Sequence, residues 1–117
     1  MAVWICCNST LTEGETSELI VELNRRYPDV LQYFWISEPG PCENWIREEE
    51  AKNGLNVKCG FIIQRNEDEG SRFLNVIPKL LYDVFGSDRI LVHGFDYELI
   101  RPEEAYRIAA AARIAEE

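Results

Sequence analysis

A cysteine nucleophile is the first chemistry that the residue types of this chain suggest. The sequence has four cysteines and one histidine, His93. A thiol acts as a nucleophile when a base lies within hydrogen-bond reach. Cys59 and His93 both fall in segments with strand-like patterns, so they form the one conceivable catalytic pair of a small enzyme. The alternative, which we favour, is that His93 ends an inner strand and makes local hydrogen bonds; the chain is then not an enzyme.

The cysteines do not follow a metal-binding or disulfide pattern. Cys6 and Cys7 are adjacent, so in a strand their side chains point to opposite faces. The sequence contains no C-x-x-C pair of the kind that begins a zinc site. Its isolated glycines also lack the spacing of a phosphate-binding loop. We therefore expect buried free thiols that act as small apolar residues, no metal and no cofactor.

Carboxylates provide the second possible chemistry, which is recognition of a basic partner. The chain has 21 Asp and Glu against 12 Lys and Arg, a net charge of −9. This excess argues against nucleic-acid binding, which needs clustered Lys and Arg. Such charge runs can be simply a solvated surface, but an acidic surface also steers a basic partner. The candidate contact residues are Glu15, Glu18, Glu22, Glu48, Glu49, Glu67, Asp68 and Glu69, with Trp45 as an aromatic anchor.

The residue pattern in the first half of the chain predicts alternating strands and helices, which would position the candidate contact residues. Residues 3–8 form an apolar strand, and Thr12 with Glu15 makes a capping box for a helix that ends before Pro28. A second strand covers residues 30–37, with Trp35 expected in the core. The polar segment that follows predicts a short helix in which Trp45 and Ile46 are the apolar anchors and residues 48–50 face water.

The second half continues the alternation. A strand covers residues 57–63, an acidic loop covers residues 65–70, and an apolar stripe predicts a helix that ends at Gly86. Pro78 either kinks this helix or lies in its first turn. Strands at residues 89–93 and 95–100 precede a terminal helix that begins at Pro102.

These elements together predict the fold class. We expect one α/β or α+β domain over residues 1–117, with helices packed on a mixed sheet of about five strands in the order β-α-β-α-β-α-β-β-α. A ferredoxin-like split arrangement and a doubly wound sheet are both compatible with this order. No apolar segment is long enough to cross a bilayer, and the first residues, MAVWICCNST, lack a basic leader. We therefore expect a cytoplasmic protein without a membrane partner.

The order of these elements resembles small immunity proteins of contact-dependent growth inhibition systems. The resemblance spans residues 2–100 and is carried by a Cys-bearing first strand, an acidic helix, a strand, and the segments IREEEAKNGL (46–55), CGFII (59–63), VIPKLLYDVFG (76–86) and ILV (90–92). It implies a cytosolic protein that binds the toxin domain delivered by a neighbouring cell, often a nuclease. It assigns no contact residues, and residues 102–117 lie outside it.

The leading hypothesis is therefore an immunity protein or antitoxin that binds a basic toxin domain, expected to be a nuclease, in a one-to-one complex through its acidic surface. A nuclease presents a positive surface to nucleic acid, which an acidic domain can cover. One alternative is a nucleic-acid mimic, such as a phage-type inhibitor of a host defence nuclease. The other is the small enzyme that would use Cys59 and His93.

Overall fold

The described residues form six strands and five helices. The computed structural model describes residues 4–66, 73–94 and 96–116, with side chains described as far as residue 111. In chain order the elements are β1 (Trp4–Ser9), α1 (Glu13–Arg26), α2 (Pro28–Leu31), β2 (Phe34–Ile36), β3 (Gly40–Pro41), α3 (Asn44–Lys52), β4 (Cys59–Arg65), α4 (Ile77–Phe85), β5 (Ile90–His93), β6 (Leu99–Ile100) and α5 (Pro102–Glu116).

The strands form one sheet with β1 at its centre. The order is β2-β4-β1-β5-β6, and the two-residue β3 pairs with β4 on the same edge as β2. Every described pair is antiparallel. The α+β class is thus confirmed, with an antiparallel sheet of six strands where the sequence predicted a mixed sheet of about five. Strands β1, β2, β4 and β5 with α1 and α4 have the ferredoxin-like split arrangement, whereas a doubly wound sheet would need parallel neighbours.

The hydrophobic core lies on one side of this sheet, which we call the helix face. Ile5 and Cys7 of β1 point to this face, together with Phe61 and Ile63 of β4 and Val92 of β5. They pack against buried residues from the helices: Leu23, Leu31, Leu80, Leu81, Phe85 and Ala105. Because side chains alternate along a strand, Cys6 and Asn8 point to the opposite side, which we call the open face.

Local signals in the sequence set most of the element boundaries. Thr12 and Glu15 form the predicted capping box at the start of α1. Pro78 lies in the first turn of α4, where its missing N–H is tolerated, and Gly86 ends that helix with a φ of +97°. The terminal helix begins at Pro102 as predicted.

The region around the second strand differs from the prediction. Pro28 starts the short helix α2, because proline suits the first position of a helix, and the strand is shortened to Phe34–Ile36. The expectation that Trp35 lies in the core was wrong, since this side chain is 49% exposed. Phe34 and Ile36 take the covered face of the strand, so Trp35 projects from the other.

Candidate functional site

The open face of the sheet is only partly covered. Asn8 and Ser9 are neighbours in β1 and therefore point to opposite faces. Ser9 contacts Thr16 of α1 on the helix face, whereas Asn8 contacts Glu50 of α3. Helix α3 thus covers one end of the open face, while α1 lies on the other side of the sheet.

Two tryptophans mark the uncovered end of the open face. Trp35 of β2 and Trp4 of β1 are both paired with Gln64 of β4, so the three side chains form one row across the sheet. The two indoles are 49% and 43% exposed. Large aromatic side chains usually lose such exposure on folding, and they are enriched in protein interfaces.

A groove of about 460 Å³ lies between α3 and the sheet. Cys6, Gly60 and Ile62 of the open face contribute to its lining, together with Trp45 of α3 and Tyr97 of the segment before β6. This volume lies within the range of ligand pockets in proteins. The groove therefore offers a preformed concave surface on the less covered face.

The exposed surface of α3 has a tryptophan beside two carboxylates. Trp45, Glu48 and Glu49 are spaced three and four residues apart, so they share one side of the helix. Trp45 is 55% exposed, and its indole N–H donates to Glu43 Oε2 at 2.7 Å. Glu48 and Glu49 are also exposed, although Glu49 makes a long ion pair of 3.4 Å with Lys52. The exposure of Glu48 and Glu49 agrees with the prediction, whereas Trp45, which the sequence also suggested as an apolar anchor of this helix, is exposed.

Glu50, the next residue, was expected to face water, and that expectation was wrong. It is 2% exposed. Its Oε2 accepts hydrogen bonds from Asn8 Nδ2 and His93 Nε2, both at 2.9 Å, and its Oε1 accepts one from Asn53 Nδ2 at 3.0 Å. The one-turn spacing places Glu50 on the side of α3 that faces the sheet, next to Ile46. The carboxylate therefore joins α3 to both β1 and β5.

The pKa values of Glu50 and His93 are shifted in opposite directions from their ordinary values. Burial favours the neutral form of Glu50, but the hydrogen bonds from His93, Asn8 and Asn53 outweigh it and hold the pKa of Glu50 below its ordinary value. Burial likewise acts against a charged His93, but the hydrogen bond and negative charge of Glu50 raise the pKa of His93 above its ordinary value. These directions favour an ionised, mutually hydrogen-bonded pair.

Tyr97 completes one side of the groove in a strained conformation. Its φ of +62° lies in the left-handed region, which is uncommon for a residue other than glycine. Its ring stacks on the ring of His93 at 4.6 Å, and its carbonyl faces His93 Nδ1 at 3.3 Å. His93 therefore positions both Tyr97 and Glu50, and each of its ring nitrogens faces an acceptor.

Gly60 permits the close approach of Asn8 within this arrangement. A Cβ atom at Gly60 would lie 2.6 Å from Asn8 Oδ1 and 3.1 Å from the carbonyl oxygen of Cys7. Both distances are shorter than normal contacts, so only glycine fits without displacing Asn8. The backbone conformation at Gly60 does not require glycine, whereas the close packing against Asn8 does.

The structure separates the predicted Cys59 and His93 pair. Cys59 lies on the helix face, where its thiol contacts the Thr16 hydroxyl at 3.2 Å and the Leu11 carbonyl. His93 pairs with Cys6 and therefore points to the open face. The enzyme alternative based on these two residues is thus wrong. All four cysteines are free thiols, three of them buried and Cys6 partly buried, and the described residues include no cluster suited to a metal ion.

The carboxylates of α1 lie on the other side of the sheet from those of α3. Glu15 is engaged in the capping box, where its carboxylate accepts hydrogen bonds from the backbone N–H and the hydroxyl of Thr12, and these bonds lower its pKa. Glu22 binds both Arg25 and Arg26, and the Arg25 hydrogen bond foremost lowers the pKa of Glu22 to about 2. Glu18 is exposed. The predicted acidic residues therefore do not form one patch, and Glu67, Asp68 and Glu69 lie outside the described residues.

Comparison with known proteins decides the family. A family model described as "CDI System Immunity Component" matches residues 1–96. The chain belongs to this family. The match agrees with the resemblance inferred from the sequence, and α5, which begins at Pro102, lies outside it.

A solved structure supports the fold of this immunity component. A chain of the "CdiA-CT/CdiI toxin and immunity complex from Burkholderia pseudomallei" is similar to it with a TM-score of 0.73 and 20% identity, over 82% of this chain and 93% of that chain. At this identity the similarity establishes the fold alone. No curated protein sequence matches the chain. Among the described residues, no helix is both long and apolar enough to span a membrane.

Asn8, Glu50 and Tyr97 were not predicted as parts of the site. The signal available for Glu50 was its position one turn after Ile46, which places both on one side of a helix. Asn8 gave a weaker signal, as a polar residue directly after an apolar strand. Tyr97 gave none in the sequence, because its place in the site follows from the stacking with His93.

Proposed function

We propose that this immunity component neutralises a cognate toxin domain by direct one-to-one binding, and that the toxin is a basic nuclease encountered in the cytoplasm. The family assignment supports a toxin as the partner. The net charge of −9 supports a basic one, because a nuclease must present positive charge to its phosphate-rich substrate. The family also favours this role over the phage-type inhibitor and the small enzyme.

The exposed side of α3 carries this proposal. Trp45 is the most exposed tryptophan of the chain, and it lies between carboxylates at the edge of the groove. Buried aromatic anchors supply much of the affinity of protein interfaces, while surrounding charges govern the association rate and specificity. Trp45 with Glu48 and Glu49 has both components.

The other predicted carboxylates are weaker candidates for toxin contacts than those of α3. The carboxylates of Glu15 and Glu22 already accept hydrogen bonds from the N-cap Thr12 and from Arg25, so a toxin would have to compete with these bonds. Glu18 is exposed on that helix without a neighbouring tryptophan on the same side of the sheet. Glu67, Asp68 and Glu69 stay candidates on the basis of the sequence.

The first experiment is co-purification with the toxin domain encoded beside this chain, followed by a nuclease assay with and without it. Stable capture with loss of nuclease activity would support the proposal. Capture without loss of activity, or absence of capture, would contradict neutralisation by direct binding. A captured toxin that is inhibited but degrades no nucleic acid would contradict only the nuclease assignment.

A matched pair of charge reversals then tests the surface. Glu48→Lys on α3 and Glu18→Lys on α1 change the net charge equally, and both positions are exposed. We expect Glu48→Lys to slow association by about threefold or more at low salt, because a like charge at the interface opposes electrostatic steering. Glu18→Lys should have a smaller effect. Equal effects of the two variants, or an association rate that is independent of salt, would refute the assignment to α3.

A further inference from the structure

The groove beside α3 has a mainly apolar lining that fits a large side chain. Pro41, Cys42, Trp45, Ile46 and Ile62 provide most of its apolar lining. Among the polar side chains in the lining, the amide group of Asn8 donates to Glu50 and its oxygen faces the Cys42 thiol at 3.7 Å, while the Ser37 hydroxyl accepts from the backbone N–H of Ile62. Since these polar atoms already have partners within the chain, the groove is better suited to an apolar group than to a polar ligand.

Carboxylates lie beside this apolar groove and outnumber the basic residues of α3, Arg47 and Lys52. Glu38 is exposed and contributes to the lining, and Glu43 holds the indole of Trp45. Glu49 lies one turn beyond Trp45 on α3. An apolar centre with a charged rim is the usual composition of a protein interface. Because this rim is negatively charged, it favours a partner with positively charged residues.

We propose that the groove receives one large apolar side chain of the toxin, flanked in the toxin by lysine or arginine residues that pair with Glu38, Glu43 and Glu49. This inference rests on the proposed function and specifies the toxin segment that is recognised. A second copy of the chain is a poor occupant, because each copy has a net charge of −9 and would bring a like-charged rim to the groove.

Gly40 permits a direct test of occupancy. This residue of β3 contributes to the groove lining, and a Cβ built on it would have no heavy atom within 4 Å. Gly40→Phe should therefore fill the groove with the variant's own side chain at little cost in folding. Gly14→Phe is the matched control, because Gly14 also has open space around its Cβ position but lies in α1.

Affinity for the purified toxin domain is measured for the full-length wild type and for both variants. We expect Gly40→Phe to raise the Kd by about 30-fold or more, the effect of losing one interface hot spot. Gly14→Phe should stay within about twofold of the wild type, the range of a surface substitution away from an interface. Trp45→Ala, which removes one wall of the groove, should also weaken binding by about 30-fold. Urea midpoints establish that each variant is folded.

The outcomes separate this inference from the proposed function. If the wild type binds the toxin and folded Gly40→Phe binds equally well, the groove is not the docking site and the inference is overturned. If Gly14→Phe weakens binding as much as Gly40→Phe, the inference is also overturned. If the wild type neither binds nor inhibits the toxin, the proposed function itself is refuted, together with the inference that rests on it.

Discussion

Replacing Glu50 with alanine removes the buried carboxylate that joins α3 to the sheet. The change leaves Asn8 Nδ2, Asn53 Nδ2 and His93 Nε2 without the acceptor that each now has. It also removes the negative charge that raises the pKa of His93. Because α3 carries Trp45, the substitution tests both the stability of the fold and the positioning of the proposed toxin-binding surface.

These contacts determine how much of the free energy of unfolding Glu50→Ala should lose. Removing one partner of a buried ion pair typically costs about 3–5 kcal/mol. The groove beside this network can admit water to the amide of Asn8, so we expect the lower end, a loss of about 3 kcal/mol in the free energy of unfolding. For a chain of this length the loss corresponds to a decrease of about 12 °C in Tm.

The assay is urea denaturation followed by far-UV circular dichroism, with the free energy obtained by linear extrapolation. Glu50→Gln keeps the shape of the side chain, and Asn53 can rotate its amide to restore a hydrogen bond, so we expect a smaller loss of about 1–2 kcal/mol. Glu49→Ala is the matched control. Glu49 is exposed and has a long ion pair with Lys52, so its loss should stay below about 0.5 kcal/mol.

One result would refute this account of the network. If Glu50→Ala unfolds with a free energy within about 0.5 kcal/mol of that of Glu49→Ala, the carboxylate is not a structural connection between α3 and the sheet. The ordering of the three variants is therefore more decisive than the absolute value. A stable Glu50→Ala variant that binds toxin normally would further show that α3 is positioned by other contacts.

Three further predictions follow from the same contacts. The lowered pKa of Glu50 stabilises the fold at pH values above 4.5, the ordinary pKa of a glutamate. The raised pKa of His93 stabilises the fold below pH 6.5, the ordinary pKa of a histidine, and this contribution is lost as pH rises through the pKa of His93 in the folded protein. Urea titrations should therefore show that the wild type loses more stability than His93→Gln between about pH 6 and about pH 8. Gly60→Ala should lower the free energy of unfolding by about 1–3 kcal/mol, because its Cβ would displace Asn8; an unchanged urea midpoint would contradict this packing. Thiol titration of the native protein should label only Cys6 and Cys42, which line the groove, and both slowly, because burial raises the pKa of each thiol; labelling of all four thiols would contradict the burial of Cys7 and Cys59.

Local chemistry in the sequence was sufficient for most element boundaries. The capping box of Thr12 and Glu15, the helix end at Gly86 and the start of α5 at Pro102 each depend on neighbours within a few residues. The family resemblance also depended on the order of such elements, and the family match confirmed it. These features were predictable because their causes lie close together in the chain.

The exposure of individual side chains was predicted less well. Trp35 was assigned to the core because its strand is apolar, and Glu50 was assigned to water because it ends a run of three glutamates. The structure reverses both assignments. Each error arose because apolarity and charge describe a residue type, whereas burial depends on which face of the sheet another element covers.

The sequence by itself determined the four longer helices, most strands, the acidic charge and the family. Only the tertiary structure decided that Glu50, Asn8 and His93 meet, since they come from three elements and are 42 or more residues apart in the pairs Asn8–Glu50 and Glu50–His93. It also decided that the carboxylates of α1 and α3 lie on opposite sides of the sheet. The physical reason is the alternation of side chains along β1: adjacent residues contact different layers, so sequence proximity does not determine which groups share a surface.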